Sequence, residues 1–543
     1  MKHNYLSSKL VVYFLIFIAL FMLMLGGCSN EEPANVNTDE GNSETAPQST
    51  EETSEDSKNG GTIKIGLSPG TGDIKNLGYA GSYRGAAEMF VAVTSLETLV
   101  SLNESGEVDP LLAKSWETDA ENLTVTFNLR EGVKFHDGTD FNAEAVKWNI
   151  DETIKSNSVE FADVESVEVV DNYTVRINLK KWNNSLLGAF ATYMTIFSPT
   201  AAQENGGKDW MMKNPVGTGP FKFVSLENDV SVKFEKFEDY WQEGKPYLDT
   251  VEFYNYQDEM SLEASFQANE IDVVYSPSLK AAGNLESSGR IAELTSGIGS
   301  RLTGIMTSSS NPESPFNDVR VRRALGYAID VKPLMNAVTF GYAVDTNQYG
   351  SSNYWSYNPN VEGTPYDPEK AKKLLAEAGY PNGFKTTLYT VSSYADAVTA
   401  IQSYLAEIGI EANIDVTDPA RYDQLVSPDG GWDGIILFML RAEPDVALFM
   451  PRYFSEAATR YGKHILHPDN VKSLFNEVML APDQAAKKEI AHKLQKAVFD
   501  EHVLATPFWL ELKASVLKES VQDSGINETH ATGWTPAEVW LQK

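Results

Sequence analysis

Residues 385–389, 395–408 and 411–416 read as a strand, a helix and a second strand in immediate succession. A strand–helix–strand rhythm of this kind belongs to an α/β lobe. Downstream, 435–440 is a continuous apolar run, the pattern of a strand buried on both faces. It ends in Arg441-Ala442-Glu443-Pro444-Asp445. Charges at the mouth of a buried strand are costly unless solvated or paired. This loop, with Arg441 and Glu443, is therefore the best candidate for polar ligand contacts; the alternative is a surface turn holding an internal Arg441–Glu443 pair.

At 543 residues the chain exceeds what one hydrophobic core usually serves, so two or three subdomains are expected. Its 76 acidic residues outnumber 44 basic ones, which argues against a nucleic-acid partner needing clustered Lys and Arg. That acidity either keeps an extracytoplasmic protein soluble or reflects a preference for cationic ligands. The single cysteine, Cys28, excludes an intrachain disulfide and a thiolate metal site.

Lys2 and Lys9 precede an almost wholly apolar segment, 10–25, which ends in Gly26-Gly27-Cys28. These are the parts of a secretory signal, and the segment is short for a spanning helix. An uncleaved anchor helix is the alternative. After it, 29–59 is rich in Ser, Thr, Asn, Glu and Pro and reads as a disordered tether.

Leu123, Val125, Phe127 and Leu129 alternate with Thr124, Thr126 and Asn128, as in a half-buried strand. His136-Asp137-Gly138-Thr139 is a turn, and Asn142 caps a helix whose buried face is Ala143, Val146, Ile150 and Ile154. Residues 166–170 and 174–179 form a hairpin around Asp171-Asn172. A helix is expected to continue over 90–99, and the two glycines around Thr218 are expected to make a tight turn. Arg320, Arg322 and Arg323 alternate with a buried helical face and are expected to be solvated or paired with acids.

The wording of 123–148, LTVTFNLREGVKFHDGTDFNAEAVKW, resembles a signature segment of bacterial solute-binding protein family 5, the peptide, opine and nickel receptors of ABC importers. Three further blocks follow in the family's order: NPVGTGPFKF (214–223), FNDVRVRRALGYAID (316–330) and YDPEKAKKLLAEAGYPNGF (366–384). Leu25-Gly26-Gly27-Cys28 likewise resembles a lipobox, which implies lipidation of Cys28 and removal of 1–27.

The resemblance spans 60–543 and implies an α/β, type II periplasmic binding fold: two lobes with a hinge, plus a subdomain inserted in the first lobe. The first lobe is expected from 60–98, 210–300 and 509–543, with 99–209 as the insertion and 301–508 as the second lobe. Hinges are expected near Gly299 and Pro507, the latter within a last long strand over 505–517. The implied protein is a monomeric, lipid-anchored receptor on the outer face of the cytoplasmic membrane. It captures a peptide or peptide-like solute and passes it to a permease and ATPase, with no enzymatic activity and no cofactor or metal. Alternatives are a receptor for a metal chelate or other small solute, a surface sensor lipoprotein, and a secreted hydrolase.

Tyr83 and Arg84 lie in a Gly-rich segment that borders the ligand cleft in family members. Tyr275 follows a short strand, 271–274, at the end where open α/β sheets bind ligands. Tyr354 and Trp355 belong to an aromatic loop, 347–360, suited to floor a pocket. Peptide-binding relatives carry an aspartate for the peptide's amino group at the position that Leu440 holds here, leaving Glu443 or Asp445 as substitutes. Nickel-chelate receptors carry an arginine that ATYMTIFSP (191–199) lacks. His464 and His467 form H-x-x-H, but Pro468 interrupts a helix there and no third ligand is near in sequence. No H-E-x-x-H, G-x-S-x-G or phosphate-binding glycine motif occurs.

Overall fold

The computed structural model describes residues 58–69, 71, 74–79, 86–156, 158–287, 291–295, 299–528 and 533–543. Cys28, the signal segment and most of the expected tether lie outside these residues, as do Tyr83 and Arg84.

A seven-stranded sheet runs, in spatial order, Phe221–Glu227, Ser231–Lys236, Thr250–Asn255, Thr62–Leu67, Val273–Tyr275, Lys513–Leu517 and Ile291–Thr295. A six-stranded sheet runs Ala343–Asp345, Ala505–Glu511, Arg301–Thr307, Ile435–Arg441, Lys385–Val391 and Glu411–Thr417. Within it the strand–helix–strand unit is realised. Lys385–Val391 and Glu411–Thr417 pair in parallel, Leu388 opposite Ile414, with helix Ala395–Glu407 between them in sequence. The apolar run sits in the interior, antiparallel to Arg301–Thr307 and parallel to Lys385–Val391. Ile435, Ile436, Leu437, Phe438 and Leu440 are all buried, which is why the run does not alternate.

A four-stranded sheet, Ala113–Asp119, Thr124–Leu129, Thr174–Leu179 and Val164–Asp171, carries helix Ala143–Lys155. The alternation at 123–129 appears as a burial pattern in which Val125, Phe127 and Leu129 point inward. The Asn142 side chain accepts from Ala145 N at 3.0 Å, satisfying one orphan donor of the helix. Asn142→Ala is therefore expected to lower stability by about 1 kcal/mol in urea unfolding. An unchanged midpoint would show that tertiary packing alone holds the helix end.

Two sequence expectations need correction, and a third, at Thr218, gains a further reason. The helix expected over 90–99 stops at Ala92, because the carbonyls of Thr94 and Ser95 accept from Phe221 N and Gly219 N instead of closing a further helical turn. Glu97–Thr98 then pairs with Thr195–Ile196 as a short strand. The glycines around Thr218 are needed for close approach, not for an unusual φ. A Cβ at Gly217 would lie 2.3 Å from the Ser95 carbonyl oxygen, and one at Gly219 would lie 2.6 Å from its carbon. Arg322 is neither solvated nor paired with an acid; its buried guanidinium donates to the carbonyls of Phe316, Asn317, His502 and Val503. Arg320 does pair with Asp318.

The 505–517 segment is two strands rather than one. The chain leaves the six-stranded sheet at Glu511 and enters the seven-stranded sheet at Lys513, with Leu512 as the only residue between. The body around the four-stranded sheet also docks on the six-stranded one. Trp182 Nε1 donates to Ala481 O at 2.9 Å, Asn184 N donates to Met479 O at 2.9 Å, and Arg452 pairs with Glu160 at 2.6 Å.

Candidate functional site

The Ile435–Arg441 strand ends at Arg441, opposite Arg301, where the chain enters the six-stranded sheet. Arg441 and Glu443 pair directly, and Glu443 is buried while 41% of the Arg441 side chain remains accessible. Although burial opposes its charge, the Glu443 carboxylate holds the Arg441 guanidinium more firmly protonated than usual. The pair is seated by backbone bonds to the segment crossing between the sheets: Gly299 N donates to Ala442 O at 2.8 Å, and Ala442 N donates to Ser300 O at 2.9 Å. Gly299 has φ +84, a conformation that favours glycine, and a Cβ there would stand 3.2 Å from Arg441 Nε.

Tyr275 approaches from the other sheet. It ends its strand and stacks on Phe90 with ring centroids 3.8 Å apart, and Phe90 stacks in turn on Trp534. Burial pushes the Tyr275 hydroxyl up to about 12, while the positive charge of Arg441 pulls the other way. Lys513 opens the neighbouring strand. Burial, reinforced by Arg441, pushes its ammonium down to about 8 against the pull of Glu443. Tyr193, at the end of helix Leu186–Tyr193, is raised by burial and feels both Arg452 and Arg441. Among the described residues the cleft thus gathers three cations, Arg441, Arg452 and Lys513, against two carboxylates, Glu443 and Glu160.

Tyr354 packs behind the Arg441–Glu443 loop, and Trp355 lines a cavity beside it. Tyr354 is buried, its hydroxyl reaching Ala442 O at 3.5 Å, while Tyr349 donates to Arg441 O. The two tyrosines brace the Arg441–Glu443 loop from behind. Trp355 is 5% exposed, donates its backbone N–H to Ser105 O at 3.0 Å, and lies 5.6 Å beneath the Lys487 ammonium. Lys487 in turn pairs with Asp445 at 2.6 Å, and Asp445 also accepts from Ala447 N. Leu440 is buried in the strand, so the position expected to anchor a peptide's amino group is a core position here. Its expected substitutes are engaged: Glu443 by Arg441, Asp445 by Lys487.

Sequence reading did not single out Lys513, Arg452 or Tyr193. For Lys513 a signal existed, because Glu511 and Lys513 interrupt the apolar run over 505–517 where one sheet hands over to the other. His464 and His467 do not converge. His467 Nε2 lies 2.9 Å from Gly462 O, whereas His464 packs against Trp432. Among the described residues no group of three or more His, Cys, Asp and Glu side chains is arranged to hold a metal.

Residues 107–460 match the sequence profile of bacterial extracellular solute-binding proteins, family 5, middle region. The glutathione-binding protein GsiB of Escherichia coli is 33% identical over 340 residues, covering 61% of this chain and 65% of that protein. The chain therefore matches slightly less than two thirds of that relative's length. Heme-binding protein A of Haemophilus influenzae is 30% identical over 369 residues, 61% of this chain and 67% of that one. The periplasmic binding protein DppA of Helicobacter pylori, solved in complex with the peptide STSA, superposes with a TM-score of 0.69 at 24% identity over 90% of this chain and 99% of that one. That likeness is one of fold.

Proposed function

The chain belongs to the bacterial extracellular solute-binding proteins of family 5, and on that footing we propose that it is the solute receptor of an ABC importer, held at the outer face of the cytoplasmic membrane by a lipid on Cys28. Its first lobe is built on the seven-stranded sheet, with 99–209 as the insertion, and its second on the six-stranded sheet. The lobes hinge where the chain passes between sheets, around Gly299 and at Leu512. A solute bridging both lobes favours the closed arrangement, the state the permease must distinguish from the empty one.

The observation that carries this reading is the cationic cleft, with Arg441 on one lobe and Lys513 and Tyr275 on the other. We assign it a peptide or peptide-like solute bound through a carboxylate, which the Arg441 fork and the Lys513 ammonium are suited to receive. A relative named for binding glutathione supports a peptide-like solute. Because Glu443 and Asp445 are already paired, recognition rests on the solute's anionic end rather than on an α-amino group. Tyr83 and Arg84 remain proposed contacts at the cleft edge. The protein works as a monomeric binder and not as an enzyme.

Native mass spectrometry of the purified full-length protein, before and after denaturation, tests the assignment. A released adduct of a few hundred daltons with a peptide fragmentation series and a free carboxylate is the expected result; a metal-chelate isotope pattern would overturn it. Titrating that solute by calorimetry gives a second test. Below about pH 8 the Lys513 ammonium is already charged, so affinity should be flat. Above it, binding must take up a proton, and affinity should fall by up to roughly tenfold per pH unit. A Lys513→Met protein should bind more weakly and lose this pH dependence. A wild-type profile that stays flat to pH 10 would remove Lys513 from the site.

A further inference from the structure

On the far side of the Arg441–Glu443 loop lies a separate cavity of about 350 Å³, between the inserted subdomain and the six-stranded body. That volume is within the range of small-molecule pockets. Its walls are of two kinds. Two indoles, Trp116 and Trp355, face it together with Leu187 and Leu448, giving an apolar and aromatic lining. Four carboxylates also line it, Glu107, Asp109, Glu443 and Asp445, against one ammonium, that of Lys487. Lys487 is spent on Asp445, and Glu443 is spent on Arg441. Glu107 and Asp109 stand exposed at the mouth, and among the described residues neither forms an ion pair.

One further residue helps to keep this space open. Gly188 lies inside helix Leu186–Tyr193 and lines the cavity. Glycine in a helix interior costs roughly 0.5–1 kcal/mol relative to alanine. Nothing crowds the position: a Cβ would meet only Asp445 Oδ2, at an ordinary 3.5 Å. Glycine is therefore not needed for packing or backbone conformation there. A longer side chain at this position would project into the cavity.

We propose that this cavity is a second binding site, distinct from the cationic cleft, for a small amphipathic organic cation such as an alkyl- or arylammonium. The apolar part lies against Leu187 and Leu448, and the cationic head is held by the Trp116 indole and by Glu107 and Asp109. A free carboxylate is excluded by the same charges that favour the cation. The two compartments share one wall, the Arg441–Glu443 loop, and present opposite signs on its two sides. This site stands on the cavity alone and does not depend on which solute the cleft takes.

Phenethylammonium is the probe, with 2-phenylethanol as its neutral counterpart and phenylacetate as its anionic one. Tryptophan fluorescence and thermal melting of the full-length protein read the binding. Phenethylammonium should saturate and raise the melting temperature, 2-phenylethanol should bind at least tenfold more weakly, and phenylacetate should not bind. Gly188→Met should weaken phenethylammonium at least tenfold by filling the cavity. If that variant fails to fold, Glu107→Gln with Asp109→Asn, both at exposed positions, should weaken it severalfold. Lack of saturation, equal binding of the neutral probe, or indifference to whichever variant folds would each overturn the proposal.

Discussion

Replacing Arg441 with methionine is expected to cost about 3 kcal/mol of stability and to weaken solute capture by roughly a hundredfold or more. The stability loss comes from the partner left behind. Glu443 is 1% exposed, so without the guanidinium it is a buried carboxylate stripped of its ion-pair partner. The affinity loss comes from removing the planar, two-pronged donor at the end of the Ile435–Arg441 strand. These effects separate in the double variant Arg441→Met with Glu443→Gln. Removing the orphaned charge should restore most of the stability, while the solute should still not bind. Urea unfolding and calorimetry on the three proteins read the two quantities independently. Restored affinity in the double variant would mean that Arg441 serves only to neutralise Glu443.

The second large effect is a hidden pH dependence at the short strand Glu97–Thr98. Glu97 is buried there and accepts from Thr218, Tyr240 and Trp241. Burial pushes its carboxyl up to about 7 in spite of these donors. A raised carboxyl contributes stability that is present below its ordinary value and is lost as pH rises through 7. Nearby, His136 Nε2 donates to Gly219 O at 2.8 Å and Nδ1 accepts from Gly217 N, which fixes a neutral tautomer. Burial pushes this imidazole down to about 4. A depressed histidine contributes stability that is present above its ordinary value and is lost as pH falls through 4. The two windows overlap with opposite slopes, each worth about 3 kcal/mol. Wild-type stability should therefore vary little from these groups between about pH 4.5 and 6.5. Glu97→Gln should expose the histidine slope, with stability rising toward pH 6.5; His136→Gln should expose the opposite slope. Parallel pH profiles for wild type and both variants would refute the assignment.

Local signals in the sequence were reliable where one residue or one period decides the outcome. Asn142 caps its helix, the hairpin forms around Asp171-Asn172, and the 435–440 run lies in a sheet interior, each for a reason visible within ten residues. The failures share a different cause. Arg322 looked like a surface charge because the four carbonyls that bind it come partly from residues 502 and 503, far along the chain. Helix 90–99 ends early because Gly219 and Phe221 claim its carbonyls from more than a hundred residues away. The cleft was half legible for the same reason. Arg441 and Glu443 announce themselves at the end of an apolar strand, whereas Lys513, Arg452 and Tyr193 become neighbours only once three bodies are assembled.

The segment 505–517 places a condition on how this chain reaches its native state. Ala505–Glu511 fills an interior place in one sheet, between Ala343–Asp345 and Arg301–Thr307, and Lys513–Leu517 fills an interior place in the other. Neither sheet can close its hydrogen-bond ladder until this late stretch has arrived. A polypeptide that emerges N-terminus first therefore carries two unfinished sheets until nearly all of it has emerged. Such long-range pairing is slow to form, and slow folding keeps a chain threadable. The crossing at Leu512 that joins the two finished sheets is thus also what keeps the unfinished ones loose.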